Sequence, residues 1–293
     1  MCLEEQLTRA NTAESLVNYS LSFAPPSTSN LLWVGIDFEL KGKKVLVTGA
    51  GQGVGKGIAQ LLAEAGAVAV VNDFVAARAQ EVVDEINKNG GYAVAAPFDV
   101  TDIAAVTAAI KSVGGVDVLI NNAGNAGSEQ GFGNIARFHE TEPAEWNKYF
   151  AVNTFGVMNC VHAALPAMVA AQWGRIVTII SDAGRNGEPQ MAAYGAAKAG
   201  AAGFMRCIAR EVGRHNITVN SISLGTMRTP MTEGRWTNPD FEAMNKAALS
   251  SYVIRRPGVP EDVAWMVANL VSPRASWVTG QTIPVNGGYN FAL

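Results

Sequence analysis

Tyr194 and Lys198 stand four residues apart in the run Tyr-Gly-Ala-Ala-Lys. On a helix that spacing puts both side chains on one face, a turn apart. An ammonium so placed holds a phenol below its free pKa of about 10. A tyrosine that can lose and regain its proton near neutral pH is a general acid/base for an alcohol or a ketone. The chain has six tyrosines, so the spacing alone carries little. Its weight comes from the elements upstream that must position the pair.

The first such element begins at Val45-Leu46-Val47, a short apolar run read as a buried parallel strand. It leads into Thr48-Gly49-Ala50-Gly51-Gln52-Gly53-Val54-Gly55. A helical pattern follows through Ile58, Leu61, Leu62 and Ala65 and ends at Gly66, a left-handed cap. A second apolar run, Val68 to Val71, closes the unit at Asn72-Asp73. This is a βαβ unit whose glycine-rich turn lets backbone approach a pyrophosphate seated on free N–H groups of the helix. The strand before, the helix after and the acid at the end of the second strand together mark a dinucleotide site. The Asp73 carboxylate can accept both adenosine ribose hydroxyls and would repel a 2′-phosphate. Phe74, Val75, Ala76 and Ala77 supply no cation, and Arg78 is expected a helix turn away. NAD is therefore favoured over NADP. The plain alternatives are a bare turn in another doubly wound protein and a surface acid at a strand end.

With these motifs the chain resembles the short-chain dehydrogenase/reductases, in their compact single-domain branch, from about Leu40 to Gly288. The turn Thr48-Gly49-x-x-x-Gly53-x-Gly55 is similar to that branch's cofactor turn, which adds Gln52 and Val54 to the cofactor contacts. Asp99-Val100 falls where the family meets the adenine, and Asn121-Asn122-Ala123-Gly124 where it keeps a segment beside the cofactor. Asn153, Ser181, Tyr194 and Lys198 fall on its catalytic tetrad, in order. The resemblance implies a doubly wound Rossmann fold, with a parallel sheet of about seven strands and helices on both faces. It implies that Asn153 positions a water in a proton relay, and that Lys198 holds the nicotinamide ribose. Gly225, Met227 and Thr229 are implied beside the nicotinamide. Two departures stand out: Leu224-Gly225 replaces proline-glycine, and Asn286-Gly287-Gly288 replaces aspartate-glycine-glycine.

The residues agree on their own terms. Ile176 to Ile180 is a continuous β-branched run, hence a buried strand, and Ser181 lies at its carboxyl end, where such sheets place ligands. Its hydroxyl can donate to a substrate oxygen beside Tyr194. Each member also has a structural reading: a capping serine, a solvated lysine, an asparagine bonded to a nearby carbonyl. The reaction expected is hydride exchange between a secondary alcohol or its ketone and the cofactor, with Tyr194 carrying the proton. No metal is implied, since His139, His162 and His215 form no cluster with cysteines or acids.

The segment from Gly225 to Arg256, a lid over about residues 226–256, holds Met227, Met231, Trp236, Phe241, Met244 and Tyr252. They suggest a bulky hydrophobic substrate: an alicyclic alcohol, a hydroxysteroid or a hydroxyacyl thioester. Packing of an amphipathic helix on the core is the ordinary alternative. Arg185, with Arg228 and Arg235, is a candidate for an acidic substrate group. The substrate set is Ser181, Arg185, Tyr194, Met231 and Trp236.

Length and composition bound these readings. The chain has 293 residues, 48% of them apolar, and a net charge of −3. That suits one α/β domain over residues 40–293 and argues against nucleic acid or an anionic membrane as partner. No stretch approaches the ~20 apolar residues of a span. Three widely spaced cysteines, Cys2, Cys160 and Cys207, fit a reduced cytoplasmic setting. Residues 1–39 read as an N-terminal extension without secretory or mitochondrial character. Within it, Glu4 to Tyr19 suits a modest helix, and Leu31 to Val34 could pack on the domain or a neighbouring subunit. Pairing of helices over about Trp146–Val169 and Tyr194–His215 is implied by resemblance, giving a homotetramer or homodimer. A catalytically silent NAD-binding sensor or scaffold is the competing function, and the intact tetrad argues against it. A nucleotide-sugar epimerase or dehydratase is a third reading, disfavoured by glycine spacing.

Overall fold

Seven short apolar segments pair into one parallel sheet, in the order β3-β2-β1-β4-β5-β6-β7. The strands are β1 (Lys44–Val47), β2 (Val68–Val71), β3 (Tyr92–Ala95), β4 (Val118–Asn121), β5 (Gly174–Ser181), β6 (Ile217–Leu224) and β7 (Thr282–Val285). A computed structural model describes residues 37–127 and 136–291. The chain divides into two units, 1–36 and 37–293. The first lies outside the described residues, and with it the expected helix over Glu4–Tyr19 and the apolar Leu31–Val34.

Strand alternation sends side chains to two separate cores. Val45, Val47, Val118, Ile120, Val177 and Ile179 face one, under α1 (Gly53–Glu64), α2 (Ala76–Lys88) and α9 (Pro260–Val271). Leu46, Leu119, Ile176 and Ile180 face the other. That second face is covered by α3 (Ile103–Ser112), by the continuous helix of α4 (Pro143–Phe150), one π-helical turn (Ala151–Phe155) and α5 (Gly156–Ala171), and by α6 (Ala192–Val212). Both faces of the central strands are covered, so β1, β2 and the middle of β5 read as apolar runs. The order reverses between β1 and β4, the switch point where doubly wound sheets bind ligands beyond their carboxyl ends.

Two expectations about helices need correcting. The helix expected from Trp146 begins at Pro143, and a capping box at Glu142 and Glu145 sets that start. It runs to Ala171, so among the described residues one helix, of 29 residues, is long and apolar enough to cross a membrane, contrary to the reading from sequence. Val157, Cys160, Val161, Ala164 and Met168 on this helix are buried against the sheet, and packing accounts for its apolar character. The lid folds as two short helices, α7 (Glu233–Thr237) and α8 (Glu242–Ser250), ahead of the buried Tyr252.

Candidate active site

The turn after β5 is pressed onto α6, and glycines at the contact make this possible. A Cβ on Gly195 would lie 2.7 Å from the Ala183 carbonyl oxygen, and one on Gly184 would lie 2.9 Å from the Ala199 nitrogen. This close approach carries Ser181, at the end of β5, to Tyr194 on the first turn of α6. The Ser181 Oγ accepts from the Ala183 N–H at 3.2 Å, and its side chain hydrogen-bonds to Tyr194. Lys198, one turn further along α6, is buried with 5% exposure. Its Nζ donates to the Ile179 carbonyl at 2.9 Å and lies 6.0 Å from the centre of the Tyr194 ring.

The electrostatics differ from the expectation. Burial pushes the Tyr194 phenol above its ordinary value, and the Ser181 hydrogen bond draws it only partly back. Burial also pulls Lys198 down to about 8. Burial, and not the neighbouring lysine, dominates the shift of the tyrosine. Both groups sit where the charged form is poorly solvated, and the ammonium is directed at a carbonyl of β5.

Asn153 lies in the π-helical turn and is fully buried. Its Nδ2 donates to the carbonyls of Asn125 (2.8 Å) and Tyr149 (2.9 Å), and its Oδ1 accepts from the Asn125 N–H (3.1 Å). The side chain therefore clamps the segment after β4, keeping one oxygen lone pair in reserve. An inserted residue in a helix is a frequent mark of a functional site.

The glycine-rich turn fits a dinucleotide phosphate. No side chain caps the N-terminus of α1, so its first N–H groups are available to an anion. Gly55 is fixed by space, since a Cβ there would lie 2.4 Å from both the Gly49 oxygen and the Asn122 Nδ2. Gly49 and Gly53 have φ of 61° and 56°. A Cβ on Gly53 would meet the Thr229 methyl at 3.5 Å, so the start of the lid lies over the turn. Gln52 reaches the lid as well, its Nε2 donating to the Met231 sulfur at 3.1 Å.

Other predicted cofactor residues divide into contact surface and support. Asn122 is support: its Nδ2 donates to the carbonyls of Thr48 (2.9 Å) and Gly49 (3.0 Å). Gly124 packs close to both Asn153 and Lys198. Asp99 is exposed and caps the Thr101 N–H, while Val100 is buried against Gly156. Gly225 lies against the Tyr252 ring, and Met227 pairs with Gly258. Sequence reasoning missed two residues here. The Thr48 hydroxyl accepts from the Asn122 and Ala123 N–H groups, and the buried Asn72 accepts from the Gly49 N–H while donating to Ala96 and Phe98. Both are uncharged residues whose partners lie far along the chain, and the local spacing carries no signal for them.

Asp73 folds over the turn, accepting from Gly51 N–H at 3.3 Å and Val75 N–H at 2.9 Å. Arg78 is closer than expected. Its guanidinium lies 3.5 Å from Asp73 and 5.1 Å from the Phe74 ring centre, because the first turn of α2 brings it back to the tip of β2. A cation is thus present at this corner.

A cleft of about 680 Å³ opens beside Ser181, Tyr194 and Lys198. Of the apolar lid residues, Met227, Trp236 and Tyr252 line it. Met231, Phe241 and Met244 do not; they are 67%, 39% and 40% exposed. Met231 is therefore corrected from substrate wall to partner of Gln52. Arg185 is corrected too: its guanidinium lies 3.3 Å from Asp182 and does not line the cleft. Arg228 is paired with Glu233 on the surface. Arg235 lines the cleft, with its Nε donating to Asn245 at 2.7 Å. Among the described residues no cluster of histidine, cysteine or acids could hold a metal ion.

Comparison with known proteins agrees with this geometry. The family model described as Enoyl-(Acyl carrier protein) reductase matches residues 49–290. The 7alpha-hydroxysteroid dehydrogenase of Escherichia coli is 37% identical over 256 residues, covering 86% of this chain and 96% of its own. The 3-oxoacyl-[acyl-carrier-protein] reductase of Vibrio cholerae is 36% identical over 254 residues, covering 85% and 98%. A gluconate 5-dehydrogenase from Burkholderia cenocepacia, solved with NADP and tartrate, superposes with a TM-score of 0.79 at 30% identity, covering 88% and 98%. With its seven-stranded parallel sheet and these relatives, the chain belongs to the short-chain dehydrogenase/reductase family, oxidoreductases that interconvert alcohols and carbonyls with a nicotinamide dinucleotide.

Proposed function

We propose that this oxidoreductase uses NAD(H) to interconvert a bulky secondary alcohol and its ketone, with Ser181, Tyr194, Lys198 and Asn153 as its working residues. The observation that carries the reading is the convergence of Ser181, Tyr194 and the buried Lys198 on one side of a single cleft. The bound nicotinamide would accept or donate the hydride. In oxidation Tyr194, as phenolate, takes the proton of the substrate hydroxyl, and in reduction it returns one. The Ser181 hydroxyl donates to the same substrate oxygen and steadies its developing charge. Lys198, whose pKa of about 8 leaves it able to exchange a proton near neutral pH, holds the nicotinamide ribose and resupplies the tyrosine. Asn153 fixes the Asn125 segment that borders the cleft.

Gly49, Gln52, Gly53, Val54 and Gly55 cradle the pyrophosphate, Asp99, Val100, Asn122, Ala123 and Gly124 flank the adenosine and the nicotinamide ribose, and Gly225, Met227 and Thr229 meet the carboxamide. Asp73 supports NAD, because its carboxylate is placed for a ribose diol. Arg78 and the NADP in the Burkholderia structure weigh the other way, so the preference rests on the acid. A bulky substrate is supported by the cleft's volume and by Met191, Met227, Trp236 and Tyr252 in its wall. The names of the hydroxysteroid and oxoacyl relatives fit it. Assembly into homotetramers through α5 and α6, in the cytoplasm, completes the reading; light scattering on the purified protein tests the assembly.

The deciding experiment follows reduced-cofactor absorbance with NAD and NADP separately, against alicyclic alcohols, a 7α-hydroxysteroid and a 3-hydroxyacyl thioester. Tyr194→Phe is the control. Turnover with one class that vanishes in the control, while cofactor affinity stays, is the expected result. Near-normal turnover in Tyr194→Phe would remove the tyrosine from the chemistry.

A further inference from the structure

Behind Ser181 lies a buried polar knot that none of the roles above uses. Asp182 is 2% exposed and borders the cleft beside Ser181, and both of its carboxyl oxygens are engaged by neighbouring side chains. Its Oδ1 accepts from the Ser223 hydroxyl at 2.5 Å and lies 3.3 Å from an Arg185 nitrogen. Its Oδ2 accepts from the Asn286 amide at 2.6 Å. Its backbone carbonyl accepts from the N–H groups of Arg185 (2.9 Å) and Asn186 (2.7 Å). One carboxylate thus joins the ends of β5 and β6 to the turn that follows β7.

Each partner leads to a working part of the site. Ser223 precedes Leu224-Gly225, and Leu224 is in register with Ser181. Asn286 packs against Gly225, where a Cβ would lie 3.3 Å from the Asn286 Cα. The turn after Asn286 holds the end of the lid, since Ile254 N–H donates to the Gly287 carbonyl at 2.9 Å. Asn286 Oδ1 is itself occupied by the Gly288 N–H at 3.0 Å, so its amide group is the one turned to Asp182.

We propose that Asp182 is a positioning residue for proton transfer: paired with Asn286 and Ser223, it fixes the Ser181 hydroxyl relative to Tyr194 and to the Gly225 turn. The proposal rests on the Ser181–Tyr194 reading above. The pairing must be complementary, because the site is dry. An acid at 286 would set two buried carboxylates against each other, and such a pair keeps both charges only at high cost. Among the described residues, the charged group paired with Asp182 is Arg185, from the turn after β5.

The test is an exchange of the two residues. Asp182→Asn should lower kcat by about 10–100-fold, as sub-ångström misplacement of a reacting group does, while the dissociation constant for NADH, read by fluorescence, stays within about threefold. Asn286→Asp should lower kcat likewise and more steeply as pH rises, as the second carboxyl ionises. The double exchange Asp182→Asn/Asn286→Asp restores one acid facing one amide and should recover about tenfold over the slower single variant. The substrates are a 7α-hydroxysteroid and a 3-oxoacyl thioester. A second readout needs no substrate: tyrosinate absorbance of Tyr194, taken as the difference from Tyr194→Phe, should titrate at higher pH in Asp182→Asn, because the Ser181 hydrogen bond favours the phenolate. If Asp182→Asn does not fold, Ser223→Ala, which removes one bond, should show a several-fold loss in kcat and the same direction of titration. Single variants with kcat within about twofold of wild type and an unmoved Tyr194 titration would overturn the proposal, as would a double exchange no faster than the slower single. A wild type idle on both substrates would count against the dehydrogenase reading alone, and the titration would still decide this one.

Discussion

Lys198→Met should stabilise the cofactor-free protein at neutral pH while abolishing turnover. Burial takes the lysine from 10.5 to about 8. At ~1.4 kcal/mol per pKa unit, holding it charged at pH 7 costs the fold about 3 kcal/mol. Methionine keeps the stem's volume and removes the charge. It also leaves the Ile179 carbonyl without the donor it now has at 2.9 Å, a loss of about 1–3 kcal/mol. The net gain is about 0–2 kcal/mol, or up to a few degrees in Tm. The pH dependence separates this account from a generic packing effect. The folded pKa lies below the unfolded one, so between about 8 and 10.5 the unfolded chain binds more protons, and wild-type stability climbs with pH through that window. The variant lacks the group and does not climb. Its advantage should therefore be largest at and below pH 7 and shrink toward zero, or reverse, near pH 10.5. Urea denaturation of both proteins at four pH values measures it. A variant less stable at every pH, by an amount that does not change with pH, would refute the reasoning and show that Lys198 is accommodated without electrostatic cost.

Three further outcomes follow from particular contacts. Gly55→Ala forces a Cβ to within 2.4 Å of the Gly49 carbonyl, so it should destabilise by about 1–3 kcal/mol or more and weaken dinucleotide binding; calorimetric titration with NADH checks it, and unchanged affinity would contradict the cradle. Asp73→Ala frees Arg78, now 3.5 Å from that acid, and should move the NADP-to-NAD ratio of kcat/KM by about tenfold toward NADP without any added cation. Adding Arg78→Ala should undo the gain, and an unmoved ratio would show that the acid does not choose the cofactor. Ser181→Ala removes the one contact that lowers the Tyr194 pKa; since oxidation needs the phenolate, the rising limb of its pH–rate profile should shift to higher pH as kcat falls, and an unshifted limb would place the titration elsewhere.

What could be read from the chain was local or periodic. The glycine spacing from Gly49 to Gly55, the acid at Asp73 and the runs Val45–Val47 and Ile176–Ile180 each fix one element from its own residues, and all stand where expected. Less legible was whatever depends on a side chain's direction. Arg78 is three residues beyond Val75, which seemed remote from Asp73 along the sequence; the start of α2 returns it to the carboxylate. Met231, Phe241 and Met244 have the composition of a pocket wall, yet Met231 precedes α7, Phe241 lies between α7 and α8, Met244 sits on α8, and all three are exposed; nothing in so short a segment fixes its rotation before it docks.

The electrostatics were hidden for a different reason. A spacing of four identifies Tyr194 and Lys198 as neighbours, and an ammonium is expected to acidify a neighbouring phenol. Whether they do depends on how much solvent both have lost, and that is set by β5 pressing against α6 through Gly184 and Gly195. The same contact that brings Ser181 to Tyr194 also dries the site. Burial then raises the tyrosine and lowers the lysine, moving both toward neutrality together. A lysine brought to about 8 still carries its proton at pH 7 but gives it up readily, which suits it to resupply the tyrosine. Asp182 carries the opposite lesson. Its buried carboxyl is held by partners far apart in the chain: Ser223, Arg185 and an amide 104 residues away converge on it. The fold thus sets an anchored carboxyl beside the buried Tyr194–Lys198 pair, and Ser181 is the residue that links them.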